Sequence, residues 1–293
     1  MSQTIAFLGL GAMGVRMSAR LIEAGFAVRV WNRTAAAAAS LEAAGATAAA
    51  TPREAATGAD LVISMVRDDA ASEAVWLDAD AGALAGLSAE ALAIECSTLS
   101  VPYIRRLSDD FAARARRLID APLLGSRPQA EAGALIFLAG GAEADVAAAR
   151  PALEVMGAAI HHLGPIGSGA VAKLMGNALF GVQVAAMAEL IGFATDAGVD
   201  VPRTIEALSA TPVVSPAARI AAGAMLAGQF APLFPIDLVA KDFALLDASR
   251  REVDARTPVA AAAGGVFAEA VRDGFGGDNI VGVTQLYSRP TTN

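Results

Sequence analysis

The chain has 293 residues, room for one large or two ordinary domains, and is 55% hydrophobic but only 18% charged. That balance excludes a disordered chain and suits a helix-rich, well-packed protein. A net charge of −8 and a pI near 4.8 argue against a nucleic-acid partner and against binding to an anionic membrane.

Residues 4–8 form a short apolar run, followed by Gly9-Leu10-Gly11-Ala12-Met13-Gly14 and a helical stretch over 12–24 that ends before Gly25. A second strand over 27–31 follows, closing on Asn32-Arg33-Thr34. A strand, a Gly-x-Gly-x-x-Gly turn, a helix and a strand in this order suit a dinucleotide pyrophosphate. Gly9 permits the tight turn, Gly11 lets the backbone approach the phosphates, and Gly14 allows close helix–strand packing. Leu10, Ala12 and Met13 complete the turn, and the helix beginning there offers N–H groups to the anion.

The end of the second strand bears on which dinucleotide is bound. NAD sites place an Asp or Glu there to accept from the ribose hydroxyls. This chain has Asn32, Arg33 and Thr34 instead. A guanidinium forks onto phosphate oxygens and a hydroxyl adds a donor, so NADP(H) is expected. The alternative is a solvated turn arginine.

Further strand-like runs fall at 60–66, 91–96, 117–121, 134–139 and 158–162, with helical stretches at 34–44, 69–78, 100–114 and 143–156. The alternation predicts a doubly wound, mostly parallel Rossmann-type sheet over residues 1–164. The run at 134–139 is expected to pair late, near the sheet edge. Met65 and Val66 end one strand and are expected to wall the cofactor. Thr98, after another, is expected near the nicotinamide ribose, or as the N-cap of the next helix. Cys96, the single cysteine, excludes an intrachain disulfide and reads as a small buried residue. The adjacent His161 and His162 have no metal-ligand spacing, and no metal is expected.

After Gly164-Pro165 the strand signals stop. One long apolar helix is predicted from Gly167 to Ala197, with helical stretches at 202–210, 215–228, 236–254, 257–273 and 278–287. Residues 165–293 thus read as an all-α domain, joined to the first by the long helix. That helix carries Lys173, Asn177, Gln183 and Glu189, so it is expected to be a buried core helix rather than a membrane span. No signal peptide is recognised, and a reducing cytoplasm is the expected compartment. Apolar faces in the Ala/Leu-rich helical domain predict a homodimer or homotetramer.

Lys173 and Asn177 are spaced i, i+4 and share a helix face. An ammonium beside a carbonyl oxygen can polarise it and protonate the alkoxide left by hydride transfer. The amide of Asn177 can orient the substrate or the lysine, and Gly167-Ser168-Gly169 can offer backbone donors to a substrate carboxylate. A lysine with its head in water is the competing picture for Lys173 and for Lys241.

Four motifs in order complete a pattern: Gly9 to Gly14, Asp120-Ala121-Pro122-Leu123-Leu124-Gly125-Ser126, Gly167 to Asn177, and Lys241-Asp242-Phe243. Together they resemble the β-hydroxyacid dehydrogenase family over almost the whole chain. Trp31-Asn32-Arg33-Thr34, and Gly125-Ser126-Arg127 leading to Ala130-Glu131, are most similar to its NADPH-using glyoxylate/succinic semialdehyde reductase branch. The resemblance implies that Lys173 is the general acid/base and that Lys241 lies near nicotinamide and substrate. Leu124 stands where the family has a carboxylate-binding serine, a role that Gly125 and Ser126 could take over. The implied activity is NADPH-dependent reduction of a short carboxylated aldehyde, reversible as a 3-hydroxyacid dehydrogenase. The alternatives are an imine reductase, against which Lys173 speaks, and a non-catalytic NADPH-binding module.

Overall fold

A computed structural model of the chain describes residues 3–288. The chain divides into two compact units, residues 1–173 and 174–293. The change-over falls inside the long helix.

The first unit runs β1 (Thr4–Leu8), α1 (Gly14–Glu23), β2 (Ala27–Trp31), α2 (Ala39–Ala43), β3 (Thr47–Ala48), α3 (Pro52–Ala56) and β4 (Leu61–Ser64). It continues with α4 (Asp69–Leu77), β5 (Leu92–Glu95), α5 (Val101–Ala112) and β6 (Arg117–Asp120). These six strands form one parallel sheet in the order β3-β2-β1-β4-β5-β6. Ile5, Ala6, Phe7 and Leu8 of β1 are wholly buried, as expected of a central parallel strand covered by helices on both faces. The strand order reverses beside β1, which places the ligand crevice at the C-terminal ends of β1 and β4.

The run at 134–139 does not join this sheet. After β6 come β7 (Leu123–Leu124), α6 (Arg127–Glu131), β8 (Leu135–Ala139), α7 (Glu143–Met156) and β9 (Gly157–His162). They build a separate three-stranded sheet, β8 pairing antiparallel with β7 and parallel with β9. Hydrophobic runs reveal strands but not the sheet they join. Two short elements, β3 and α3, lay hidden in alanine-rich sequence. Gly45, at φ +105°, ends α2 early and lets the chain turn into β3.

The long helix α8 (Ser168–Asp196) leads into the second unit, which adds α9 (Val201–Ser209), α10 (Pro216–Leu226), α11 (Ile236–Glu252) and α12 (Pro258–Arg272). The stretch predicted over 278–287 is a 3₁₀ helix, Ile280–Tyr287. Phe243 of α11 stacks on Phe267 of α12 at 5.7 Å between ring centroids. Gly181 of α8 admits the same ring, for a Cβ there would lie 2.6 Å from Phe243 Cε2. Val184, Ala188 and Ile191 of α8 face this core.

Helix α8 is not the fully buried core helix expected from sequence. It is long and apolar enough to cross a membrane, yet only 33% of its most apolar window is buried. Met175, Leu179, Leu190 and Phe193 are 56–70% exposed. At about 100° per residue they fall in one sector of the helix, opposite the buried residues.

The start of α8 is a tight junction in the first unit. A Cβ on Gly169 would lie 2.1 Å from the backbone oxygen of Leu138. Gly169→Ala is expected to destabilise the protein by about 2–3 kcal/mol in urea unfolding. A cost within about 0.5 kcal/mol would contradict this packing.

Candidate active site

The Gly-rich turn is held by its neighbours rather than by itself. Gly9 sits at φ +100°, where an L side chain is strained, and a Cβ on it would lie 2.3 Å from Met65 O. A Cβ on Gly14 would lie 1.9 Å from Gly9 O. Gly11 is different: nothing stands within 4 Å of where its Cβ would be. That open space over a backbone at a helix start fits a pyrophosphate. The Val15, Arg16 and Met17 N–H groups bond to Gly11 O and Met13 O, so it is the Ala12 and Met13 N–H groups just before α1 that can donate to it.

Asn32 shapes this turn. Its Oδ1 accepts the Leu10 N–H at 2.9 Å, and its Nδ2 donates to Thr34 O at 3.0 Å. Trp31 O accepts the Gly9 N–H at 2.9 Å. Asn32 thus fixes the turn from the end of β2, and the Leu10 amide is already engaged. Arg33 and Thr34 beside it are exposed.

Met65 and Val66 follow β4, half-buried, and Thr98 follows β5, also half-buried. The helix cap proposed for Thr98 belongs to Ser100, whose Oγ accepts the Tyr103 N–H at 3.3 Å. Cys96 is buried, and burial pushes its thiol well above the usual range, so it stays protonated. Beside it lies Glu95, wholly buried, with its carboxyl raised by desolvation. Its oxygens accept from Ser72 Oγ at 2.7 Å, Trp76 Nε1 at 2.8 Å and Ser97 N at 2.9 Å.

Asp120, the last residue of β6, caps the start of α8. Its Oδ1 accepts the Gly167 N–H and its Oδ2 the Ala170 N–H, both at 2.7 Å. The Ser168 N–H donates to Pro165 O at 3.1 Å. The expectation that this turn offers its amides to a substrate carboxylate is therefore corrected: the chain's own carboxylate and carbonyl take the Gly167, Ser168 and Ala170 donors. Lys173 lies one turn further along α8 and is 9% exposed. Gly125 follows β7 at φ +114°, and the Ser126 N–H donates to Gln129 Oε1 at 2.9 Å. Leu124 is half-buried in β7.

In the second unit Asp242 gathers two of the expected site residues. Its Oδ2 accepts Asn177 Nδ2 at 2.6 Å, and its Oδ1 lies 3.1 Å from Lys241 Nζ, an ion pair without hydrogen-bond alignment. Both partners of the ion pair are largely buried, at 18% and 7% side-chain exposure. The Asn177 Nδ2–Asp242 Oδ2 bond fixes the plane of the Asn177 amide. Phe230 and Phe234 pack against the helical core. Among the described residues no group of three or more His, Cys, Asp and Glu could hold a metal ion.

Comparison with known proteins agrees with this geometry. Residues 4–164 match the model of the NAD-binding domain of 6-phosphogluconate dehydrogenase. Residues 167–287 match that of the NAD-binding domain of NADP-dependent 3-hydroxyisobutyrate dehydrogenase. The chain belongs to the β-hydroxyacid dehydrogenase family. Among its relatives, an NAD-dependent L-serine dehydrogenase of Pseudomonas aeruginosa is 32% identical over 97% of each chain. Glyoxylate/succinic semialdehyde reductase 2 of Arabidopsis thaliana is 31% identical over 96% of this chain and 78% of its own. The solved structure of Mycobacterium tuberculosis 3-hydroxyisobutyrate dehydrogenase with L-serine superposes with a TM-score of 0.90 at 29% identity, over 98% of this chain and 99% of the other. This family member is thus an oxidoreductase with an NAD(P)-binding fold.

Two side chains of this family member escaped the reading of the sequence. Asp120 stood inside a motif but had no role assigned, and Glu95 lay inside an apolar run. The signal was there in both cases: an acid that ends a buried parallel strand must find donors.

Burial also sets a pH dependence. It pushes the Asp120 carboxyl from the ordinary 3.8 up to about 6, outweighing the backbone donors that favour the ionised form. A raised acid binds its proton more tightly folded than unfolded. Its stabilising contribution is therefore complete below pH 3.8 and is lost as pH rises through about 6. Relative to Asp120→Asn, the wild type is expected to lose on the order of 3 kcal/mol between pH 4 and 7 in chemical unfolding. A pH-independent difference between the two proteins would refute the assignment.

Proposed function

We propose that this enzyme is an NADPH-dependent reductase of short carboxylated aldehydes of the glyoxylate, succinic semialdehyde or tartronate semialdehyde type, reversible as a 3-hydroxyacid dehydrogenase. The observation that carries the reading is Lys173, a buried lysine on α8 one helical turn before Asn177. The dinucleotide, when bound at the Gly9–Gly14 turn, supplies the hydride to the carbonyl carbon. Gly11, Ala12 and Met13 would hold its pyrophosphate, Arg33 and Thr34 its 2′-phosphate, and Met65, Val66 and Thr98 its nicotinamide half. Asn32 acts by shaping the turn.

Lys173 polarises the carbonyl oxygen and donates a proton from Nζ as negative charge develops there. Asn177, its amide fixed by Asp242, orients the substrate or the lysine. Lys241 contributes positive charge toward the substrate carboxylate, with Gly125 and Ser126 as further contacts. NADPH is favoured because residues 32–34 contain no carboxylate to repel a 2′-phosphate. Leu124 favours a longer or more apolar chain on the aldehyde than a serine would.

The test is NADPH and NADH oxidation against glyoxylate, succinic semialdehyde, tartronate semialdehyde and a cyclic imine. An aldehyde is expected to be reduced, faster with NADPH. Lys173→Ala is expected to lower kcat by about 10²–10⁴-fold while NADPH still binds. Faster turnover with NADH would defeat the Arg33 reading. Imine turnover without aldehyde turnover would establish the imine reductase instead. Binding without turnover of any carbonyl would establish the non-catalytic module.

We further propose a cytoplasmic homodimer or homotetramer, the exposed Met175, Leu179, Leu190 and Phe193 meeting a second copy of the chain. Light scattering on the purified protein is expected to give at least the dimer mass, and Leu179→Glu to shift it toward monomer. A monomer in the wild type overturns this arrangement.

A further inference from the structure

Glu95 is a fully buried acid held by Ser72, Trp76 and Ser97, the last through both its hydroxyl and its backbone N–H, and none of the donors is a cation. An apolar residue in its place would avoid the cost of desolvating a carboxyl. What the carboxyl adds is direction. Oε2 is fixed from one side by Ser72 and Trp76 of α4, and Tyr103 of α5 donates in turn to Ser72 Oγ at 3.0 Å. Oε1 then takes the N–H of Ser97, two residues further along the chain. That bond bends the backbone as it leaves β5.

The bend has a consequence on the neighbouring strand. Ser97 is 2% exposed, and its Oγ accepts the Val66 N–H at 2.8 Å. Val66 lies beyond the end of β4, where the parallel ladder no longer supplies an acceptor. Its neighbour Met65 donates its N–H to Leu8 O at 2.9 Å. Met65 O is the atom against which Gly9 is packed, and Val66 Cγ1 lies 3.0 Å from the position of a Gly9 Cβ. A continuous set of contacts thus runs from Glu95 through Ser97 to Met65-Val66 and so to the floor of the Gly-rich turn.

We propose that Glu95 is a positioning residue for dinucleotide binding, acting through Ser97 to set the height of the Met65-Val66 segment under Gly9. It touches no ligand itself. Replacing the carboxylate by an amide keeps the shape but opposes an NH₂ to one of the donors, whichever way the amide is turned. Removing the Ser97 hydroxyl breaks the same set of contacts one step later. Trp76 shares Oε2 with Ser72, so that when the indole N–H is lost Ser72 still holds that oxygen and Oε1 keeps the Ser97 N–H; its loss is expected to cost stability alone.

The inference rests on the Gly9–Gly14 turn as the dinucleotide site, and not on which carbonyl is reduced. The full-length protein is titrated with NADPH, with Kd, KM for NADPH, kcat and Tm read for each variant. Glu95→Gln and Ser97→Ala are each expected to raise Kd and KM for NADPH about tenfold, the worth of one buried hydrogen bond, with kcat at saturation within about twofold. The double variant is expected to be no weaker a binder than Glu95→Gln. Trp76→Phe is expected to lower Tm and leave Kd unchanged. Wild-type Kd in both Glu95→Gln and Ser97→Ala, with Tm alone reduced, overturns the proposal. Should Glu95→Gln fail to fold, Ser97→Ala against Trp76→Phe decides it, and equal Kd in those two overturns it. Lys173→Ala in the same assay keeps the two readings apart. Retained turnover there would remove the proton-donor role without moving the Kd comparison.

Discussion

A parallel sheet closed on both faces leaves a problem at its C-terminal edge. The strands end, the ladder of acceptors stops, and the next few backbone N–H groups are still out of reach of water. In this protein polar side chains at strand ends answer that need. Asn32 takes the Leu10 amide, Glu95 takes the Ser97 amide, and Asp120 takes the Gly167 and Ala170 amides. Each acts on a loop that belongs to the candidate site. The edge where a cofactor would bind is shaped by the need to leave no buried donor unpaired.

This accounting changes how the site residues are read. A helix N-terminus is an anion site only while its amides are available. At the turn into α1 the Ala12 and Met13 amides are, and the open space above Gly11 marks the place. At α8 Asp120 already occupies the Gly167 and Ala170 amides, so that turn does not offer them to a ligand. The Lys241–Asp242 ion pair and the Asn177–Asp242 hydrogen bond supply an ordered cationic and amide surface in the second unit. Such a surface costs more to bury than an apolar one.

The two faces of α8 carry opposite lessons. One face packs into the helical core through Val184, Ala188 and Ile191. The other presents large apolar side chains to solvent. Hydropathy alone could not separate them, because both faces are equally apolar; burial is decided by which neighbours arrive. The same blindness placed β8 and β9 in the main sheet. A run of apolar residues says that a strand will be buried, and leaves its partner open.

Sequence determined the class of fold, the dinucleotide turn, the all-helical second half and the family. These are written in local spacing: Gly-x-Gly-x-x-Gly before a helix, alternating strands and helices, and Lys173 four residues from Asn177. Tertiary structure decided the partners of the buried acids, because Asp120 meets residues 47 and 50 positions away and Glu95 meets Trp76 across 19. No local pattern encodes such distances. They follow from how strands stack and helices cross, and only then does an acid at the end of a strand acquire its donors.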